Sequence, residues 1–490
     1  MSEARPVSAL HALVVAVLPA AALGFAPAGT AGQVTGGRAV VESLTYEPLD
    51  FEQPVVEERE VMGVDVLLME DDGLPLVTLH AYFEGGYGRF SRQEYAAATG
   101  LSALLRYGGT QNRTPSEVDD AIAYLALQPT FGTGGGSVTS SLNTLTEHLD
   151  AAVELWAEML AEPGFDPGEI EAWRARQLES VRRRADDPGR LAVSEMNRLL
   201  YGDHPVGWEM GLEDLGPERV TPQRFHAVHE RIICRENLVL GFTGDIDWSR
   251  AEPLATRLLE SLERCPDDLP DSPIPEIRRT PGVFVVEKEL EQAVIVMAHP
   301  TDVRLEDDGE YFAALVGNSI LGGGGFSSRI LQRVRTDEGY AYSATSLWTT
   351  PRRHEGLVGA MTRTRPDNVA PAIEVILDTM RELLEGPPTR DEVRTTVDQI
   401  VNGFVFNFES AAQVVSRAMY YRALGLPDNW LERYWEGVQE VDPDDVAAVF
   451  REHLKPDEMT ILIVGDPARM GMERLRAIGP VEVLQPAPSG

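Results

Sequence analysis

The same order of apolar strands and amphipathic helices occurs twice in this sequence, and this internal repeat restricts the chain to a duplicated fold. Residues 237–245 (NLVLGFTGD) form an apolar run that ends in Thr-Gly-Asp, and residues 459–466 (MTILIVGD) repeat it. A long helical stretch begins at Phe165 in the first half and another at Pro387 in the second. Repeats this long indicate a duplicated domain and not a solenoid.

Each half also contains shorter runs of alternating hydrophobicity that are typical of strands. These runs lie at 64–69, 78–83 and 137–142 in the first half and at 283–286, 293–298 and 341–348 in the second. Strands and helices do not alternate strictly along the chain, which favours the α+β class over a doubly wound parallel sheet. Residues 266–281 contain five prolines and are predicted to link the two copies.

The N-terminal residues predict export from the cytoplasm. Residues 9–25 are apolar, and small residues suited to cleavage follow at 26–31. We therefore interpret residues 1–31 as a signal peptide, with an uncleaved anchor as the alternative. The mature protein is expected to begin between Gly29 and Val34, to be periplasmic, and to have no stable membrane span, because no later run is long enough to cross a bilayer.

Charge and cysteine content exclude some functions and leave others open. The formal net charge of −35 argues against nucleic-acid binding through a basic face. An acidic surface explains this charge more simply than a cavity for basic peptides. The two cysteines, Cys234 and Cys265, lack the spacing of zinc ligands. They could pair in an exported protein, but their distance does not follow from the sequence.

Residues 322–343 (GGGGFSSRILQRVRTDEGYAYS) form the stretch with the clearest chemical potential. Four glycines follow a helix-like run, and Ser327 or Ser328 can cap a new short helix. This layout places Arg335 at a helix end and Tyr342 early in a strand, so both could face one cleft. A guanidinium and a phenol could together hold a peptide carbonyl or an oxyanion. The alternative is a surface Arg and a half-buried strand Tyr.

This stretch resembles the C-domain signature of the M16 (pitrilysin-like, inverted-zincin) peptidases, whose substrate-positioning Arg and Tyr have the same spacing as Arg335 and Tyr342. The resemblance extends from about residue 60 to residue 466. It implies two duplicated domains, each an antiparallel-rich sheet with packed helices, that form half of a clam-shaped chamber. We place the N-terminal domain at 55–265 and the C-terminal domain, which carries the Arg/Tyr motif, at 282–480.

Active members of this family carry His-x-x-Glu-His on the first helix after the second strand, where two imidazoles and a distal Glu hold a catalytic zinc. The matching helix here lies at 100–110, and Ala103 and Tyr107 stand where the histidines would be. Arg106 stands where the water-activating Glu would be, and it would repel a cation. Glu179 lies near the distal ligand position but cannot hold a metal alone. We therefore expect no zinc in this chain.

Two further sets of residues are weaker candidates. Gly134, Gly135, Gly136 and Ser137 lie where active members of the family bind peptide, although a flexible loop ahead of a strand explains them equally well. The pair His226 and His229 has helical spacing, but its order is not that of a known zinc site. Surface histidines are the simpler explanation for this pair.

The resemblance thus implies a half-site, in which the Arg/Tyr pair is kept and the zinc motif is lost. In some M16 peptidases one subunit brings zinc and the other brings Arg and Tyr. We predict that this chain is the second kind, inactive alone, forming a heterodimer with a zinc-bearing subunit that binds short or unfolded peptides. Arg335 and Tyr342 would then act in trans. The alternative is a catalytically inert scaffold or peptide-binding protein of the same fold.

Overall fold

The computed structural model describes residues 54–267, 271–306 and 308–484. The predicted signal peptide and the predicted mature N-terminus lie outside these residues. Within them the chain forms twelve strands and fifteen helices. The strands are β1 (Glu57–Val61), β2 (Val64–Glu70), β3 (Leu76–Glu84), β4 (Gln128–Thr133), β5 (Ser137–Leu145), β6 (Leu238–Gly244), β7 (Gly282–Glu287), β8 (Ala293–Thr301), β9 (Ala341–Trp348), β10 (Gly356–Thr364), β11 (Thr460–Gly465) and β12 (Val481–Leu484).

The helices differ widely in length, from three residues to seventeen. They are α1 (Tyr95–Tyr107), α2 (Pro115–Tyr124), α3 (Leu149–Ala161), α4 (Pro167–Arg183), α5 (Pro188–Tyr201), α6 (Pro222–His229), α7 (Trp248–Ser261), α8 (Gly309–Asn318), α9 (Arg329–Leu331), α10 (Val369–Glu385), α11 (Arg390–Phe404), α12 (Ala411–Ala423), α13 (Trp430–Glu440), α14 (Pro443–His453) and α15 (Met472–Ile478).

Two six-stranded sheets have the same internal order, which is the structural form of the sequence repeat. The strand orders are β1-β2-β6-β3-β5-β4 and β12-β7-β11-β8-β10-β9. In each sheet the run NLVLGFTGD or MTILIVGD forms a central strand, which pairs in parallel on one side and antiparallel on the other. The five strands β2-β6-β3-β5-β4 of the first sheet correspond to β7-β11-β8-β10-β9 of the second. The other pairings within each set of five are antiparallel. The α+β prediction is confirmed.

Equivalent helices of the two halves begin at side-chain caps that the sequence provides. Asp166 accepts hydrogen bonds from the backbone N–H groups of Gly168 and Glu169 at the start of α4. At the start of α11, Thr389 accepts from the N–H of Glu392, whose carboxylate accepts from the N–H of Thr389 in return. Such caps satisfy backbone donors that the first helical turn leaves unpaired.

The two halves exchange a helix, so that each covers the other's sheet. Helix α5 of the first half buries Leu191 and Met196 in a cluster with second-sheet residues such as Val294. Helix α12 of the second half buries Met419 in a cluster with Leu67 of the first sheet. Residues described from Pro54 onward therefore form one compact unit. The predicted domain boundaries at 265 and 282 remain predictions.

A disulfide joins Cys234 to Cys265 across a sequence separation of 31 residues. Cys234 lies just before β6 and Cys265 just after α7, so the bond closes the strand–helix unit that contains the repeated NLVLGFTGD run. The sequence alone left open whether the two cysteines pair, and the structure shows that they do. In the described part of the chain, no helix has the length and apolar character needed to cross a bilayer.

Candidate functional site

The glycine-rich stretch begins where α8 ends and changes the course of the chain. The helix widens at residues Ser319–Gly323, and Gly322 packs against β9 so closely that an added Cβ would lie 2.4 Å from the backbone nitrogen of Ser346. Gly325 then takes a left-handed φ of +71°, which a residue with a side chain rarely adopts. These glycines allow the chain to turn tightly against the sheet before α9.

Arg335 lies in the last turn of the helical segment that follows α9, and its guanidinium stacks on two aromatic rings. The guanidinium carbon lies 4.4 Å from the centroid of the Tyr342 ring and 4.9 Å from that of Phe326. Both rings are 78% exposed. The structure thus brings Arg335 and Tyr342 together on the surface, and Tyr342 is more exposed than the half-buried strand Tyr of the alternative interpretation.

The other arginines of this segment are held by carboxylates. Arg329 donates two hydrogen bonds to Glu392, at 2.9 and 3.0 Å, and Arg333 pairs with Glu382. Across the described residues, no carboxylate lies within salt-bridge distance of Arg335. In the part of the chain that the structure describes, the faces of two rings therefore hold the guanidinium, and its N–H groups have no carboxylate partner. An arginine held in this way can donate hydrogen bonds to an external carbonyl or carboxylate oxygen.

Helix α1 carries the three residues that the sequence resemblance aligns with the zinc motif. Arg106 forms a 2.7 Å salt bridge with Asp119 of α2, and its guanidinium also lies 4.7 Å from the ring centroid of Tyr107. Ala103 packs against the first-half core as a partly buried methyl group. These side chains offer no imidazole or carboxylate, which are the groups that a catalytic zinc requires.

Glu179, which the sequence resemblance places near the distal ligand position, has a partner within its own helix. The Glu179 carboxylate pairs with Arg183 one turn later on α4, at 2.5 Å, and is half exposed. In the described residues, the only His, Cys, Asp or Glu cluster with metal-site dimensions lies in the second half, away from α1.

The glycines at 134–136 lie in a turn that is hydrogen-bonded to another segment of the same chain. They form the turn between β4 and β5, and the carbonyls of Gly134 and Gly136 accept hydrogen bonds from the N–H groups of Tyr87 and Gly85. A Cβ on Gly86 would lie 1.9 Å from the Gly134 oxygen. The close approach of the two backbones is therefore permitted by Gly86, whereas Cβ atoms on the glycines at 134–136 would meet no atom closer than 3.5 Å. Their role in peptide binding stays a prediction.

Part of this turn faces an open cavity between residues of the two halves. The cavity has a volume of about 970 Å³ and is lined by Gly135, Gly136 and Ser137, together with residues 351–354 of the second half. Arg335 and Tyr342 are not among its lining residues. The glycine turn and the Arg335/Tyr342 pair therefore do not share this cavity.

The histidines of α6 are structural. His229 is buried, and its Nε2 donates to the carbonyl oxygen of Leu160 at 2.6 Å. Burial lowers the pKa of His229 to about 4, so its ring is neutral near pH 7. His226 packs edge-on against Phe165. The expectation of two surface histidines was wrong for His229, because α6 turns that side chain into the core.

Phe326 is the residue of this site that the sequence interpretation missed. It follows the four glycines directly, and its ring lies beside the same guanidinium that contacts Tyr342. The sequence signal that could have identified Phe326 as part of the site is its position directly after four glycines, because glycine-rich turns rarely need a large apolar side chain.

A comparison with protein families matches residues 219–400 to the family model described as the peptidase M16 inactive domain. The matched region includes Arg335 and Tyr342 and excludes α1.

Two curated relatives extend the similarity over most of the chain. An uncharacterised zinc protease of Streptomyces coelicolor is 24% identical over 377 residues, which cover 74% of this chain and 80% of the relative. The Helicobacter pylori protein named non-peptidase homolog YmxG is 21% identical over 409 residues, which cover 82% of this chain and 92% of that protein.

Solved structures share the fold. The peptidase M16 inactive domain from Pseudomonas fluorescens aligns with a TM-score of 0.75 at 24% identity and covers 84% of this chain and 98% of its own. A protease from Helicobacter pylori aligns with a TM-score of 0.74 at 18% identity and covers 84% and 100%. At these identities the similarity establishes the fold.

Proposed function

Because residues 219–400 match the model of the peptidase M16 inactive domain and the chain shares the fold of M16 structures, we propose that this protein is the subunit without the catalytic zinc in a two-chain M16 metallopeptidase. In this proposal Arg335 and Tyr342 contact the peptide at a zinc site on a partner subunit. The observation that carries the proposal is the stack of Arg335 on two exposed rings, without a carboxylate partner in the described chain.

The chemistry of the pair suits peptide hydrolysis. As the scissile carbonyl becomes tetrahedral its oxygen gains negative charge, which nearby cationic and hydroxyl donors stabilise. Arg335 supplies a permanent charge, and the Tyr342 hydroxyl supplies one donor. Zinc in the partner would polarise the carbonyl and activate water. The residues of α1 in this chain cannot do this, since Ala103, Arg106 and Tyr107 provide no zinc ligand.

The peptide itself would bind as an added strand at a sheet edge of the partner, with main-chain hydrogen bonds that read no side chain. This mode fits short or unfolded peptides. On this chain, we propose that peptide also contacts the turn at Gly134, Gly135, Gly136 and Ser137, the last three of which border the cavity.

We further propose that the chain is exported and periplasmic, after removal of residues 1–31. The disulfide supports this proposal, because disulfides persist in oxidising compartments. N-terminal sequencing of the exported protein should give a start between Gly29 and Val34. A mature form that retains Met1 would contradict the proposal.

Reconstitution tests the function. The chain is mixed with an M16 chain of the same organism that carries His-x-x-Glu-His, and complex mass and peptide hydrolysis are measured. We expect a heterodimer that hydrolyses peptide faster than either chain alone. A heterodimer with no gain in hydrolysis would favour the scaffold alternative, and no heterodimer would contradict the assignment.

A further inference from the structure

A second cluster of metal-binding side chains lies in the C-terminal half, away from α1. Glu310 is in the first turn of α8, and Glu452 and His453 end α14. One oxygen from each glutamate and one nitrogen of His453 lie within 4.8 Å of one another. The two helices pack together, so their ends bring these residues side by side.

His453 is buried in an arrangement that leaves one of its ring nitrogens unused. The residue is 7% exposed, and its Nδ1 lies 2.9 Å from the Oδ1 atom of Asp302, just after β8. Nε2 is buried and has no hydrogen-bond partner in the described chain. A buried polar atom without a partner costs free energy, so such an atom in a native structure calls for a ligand.

The distance from this nitrogen to Glu310 is close to the separation of two ligands bound to one ion. His453 Nε2 lies 3.7 Å from Glu310 Oε2, which is too long for a hydrogen bond. Two tetrahedral ligands that are each about 2.1 Å from a zinc ion lie about 3.4 Å from one another. The Nε2 lone pair and the glutamate oxygen therefore need only a small adjustment to share an ion.

We propose that Glu310, Glu452 and His453 bind a divalent transition-metal ion such as Zn²⁺, with water completing its coordination. One imidazole with two carboxylates is a donor set that zinc accepts. Asp302 is a positioning residue, since a carboxylate on Nδ1 fixes the tautomer that presents Nε2 to a metal. The C-terminal end of α14, where carbonyl groups point outward, also favours a cation.

The ion would join the start of α8 to the end of α14 and so would act structurally. Helix α8 leads directly into the widened turn Ser319–Gly323 and the glycine run before Arg335. The site differs from the catalytic zinc position of active M16 peptidases, which corresponds to α1. It therefore modifies the expectation that this chain holds no zinc, and it does not depend on the proposed function.

The test uses the full-length mature chain, freed of metal with a chelator, and Zn²⁺ alone as the probe. Calorimetric titration and thermal unfolding measure affinity and Tm. We expect one Zn²⁺ per chain and a higher Tm with zinc. Because the Asp302, Glu310 and Glu452 side chains are exposed, Asp302→Ala, Glu310→Gln and Glu452→Gln should fold. The Asp302 variant should bind about 10–100-fold more weakly, as other such variants do.

Glu310→Gln and Glu452→Gln should weaken zinc binding by at least the same factor as Asp302→Ala, because each removes a direct ligand. Glu473→Gln, at an exposed position of α15, is the matched control and should bind as the wild type does. Wild-type protein that binds no zinc would overturn the proposal. Equal zinc affinity in the wild type and in both glutamate variants would overturn it as well.

Discussion

The guanidinium carbon of Arg335 lies 4.4 Å from the ring centroid of Tyr342, seven residues later in the chain. The contact is made by the face of the ring and not by its hydroxyl group. Substitution of Tyr342 by Phe therefore keeps the surface that positions Arg335 and removes only the hydroxyl. The effect of the ring on the position of Arg335 and the effect of the hydroxyl group on catalysis can therefore be measured separately.

Phe326 provides the second ring, and we expect it to position Arg335 without contacting peptide. Exposed cation–π contacts contribute about 0.5–1 kcal/mol, which corresponds to a decrease of about 2–5-fold in turnover when the ring is removed. Phe326→Ala should therefore slow the heterodimer less than Arg335→Ala does. Steady-state kinetics of the two variants measure this order, and the reverse order would contradict the positioning role.

The isolated chain should hydrolyse no peptide, because α1 presents a methyl group, a guanidinium and a phenol in place of zinc ligands. Arg106 is neutralised by Asp119, and exposed salt bridges of this kind contribute about 0.2–1 kcal/mol. Arg106→Ala should accordingly lower stability slightly and leave the chain inactive. Peptidase activity of the pure wild-type chain that Arg106→Ala abolishes would contradict this account.

Loss of the disulfide should destabilise the first half. A bond that closes a loop of 31 residues restricts the unfolded chain by about 3–4 kcal/mol in the chain-entropy model. The double variant Cys234→Ser, Cys265→Ser should unfold at lower denaturant concentration than the oxidised wild type. Reduced wild type serves as the control and should match the variant. Equal midpoints for oxidised and reduced wild type would show that the bond contributes nothing.

Two buried histidines should make stability depend on pH. Burial lowers the pKa of both His80 and His229 to about 4. Since their pKa in the unfolded chain is near 6.5, the unfolded state binds more protons between these values. The folded state therefore has its full stability above pH 6.5. As the pH falls towards 4, the free energy of unfolding decreases by an amount on the order of 3 kcal/mol for each histidine.

Denaturant unfolding at a series of pH values measures this dependence. The slope of unfolding free energy against pH between 4 and 6.5 should be smaller in His229→Gln than in the wild type. The amide of Gln can still donate to the Leu160 carbonyl, but it does not titrate. Identical slopes in the two proteins would exclude His229 as a source of the dependence.

The repeated runs at 237–245 and 459–466 predicted the fold because each is apolar enough to be a central strand. The structure places them as β6 and β11 at equivalent positions. The periodicity also located β2, β3, β5, β7, β8 and β9. It did not locate β4, where Pro129 and Gly132 weaken the strand pattern, or β10, which begins with glycine.

The exchange of α5 and α12 between the halves could not be predicted from the sequence. Each helix is amphipathic, but its apolar face fits either sheet, and only the packed structure shows which one it covers. The contact of Arg335 with Tyr342 was foreseen as proximity in a cleft. The contact takes the form of a stack on exposed rings. This form depends on two widened helical turns, Ser319–Gly323 before α9 and Gln332–Asp337 after it, which carry no sequence signature.

The central claim is that Arg335 and Tyr342 act on peptide bound to another chain. Each of Arg335→Ala and Tyr342→Phe is assembled with the wild-type zinc-bearing partner, and the complex is confirmed by mass. Arg333→Ala and Tyr124→Phe are matched controls, because Arg333 pairs with Glu382 on the same segment and Tyr124 is an exposed tyrosine elsewhere.

The most direct measurement is kcat for peptide hydrolysis by these assembled heterodimers. Removal of one donor to a developing oxyanion typically lowers kcat by about 10²–10³-fold, with less effect on KM. We expect losses of this size for Arg335→Ala and Tyr342→Phe and wild-type kcat for the two controls. Unchanged kcat in both assembled test variants would contradict the shared site.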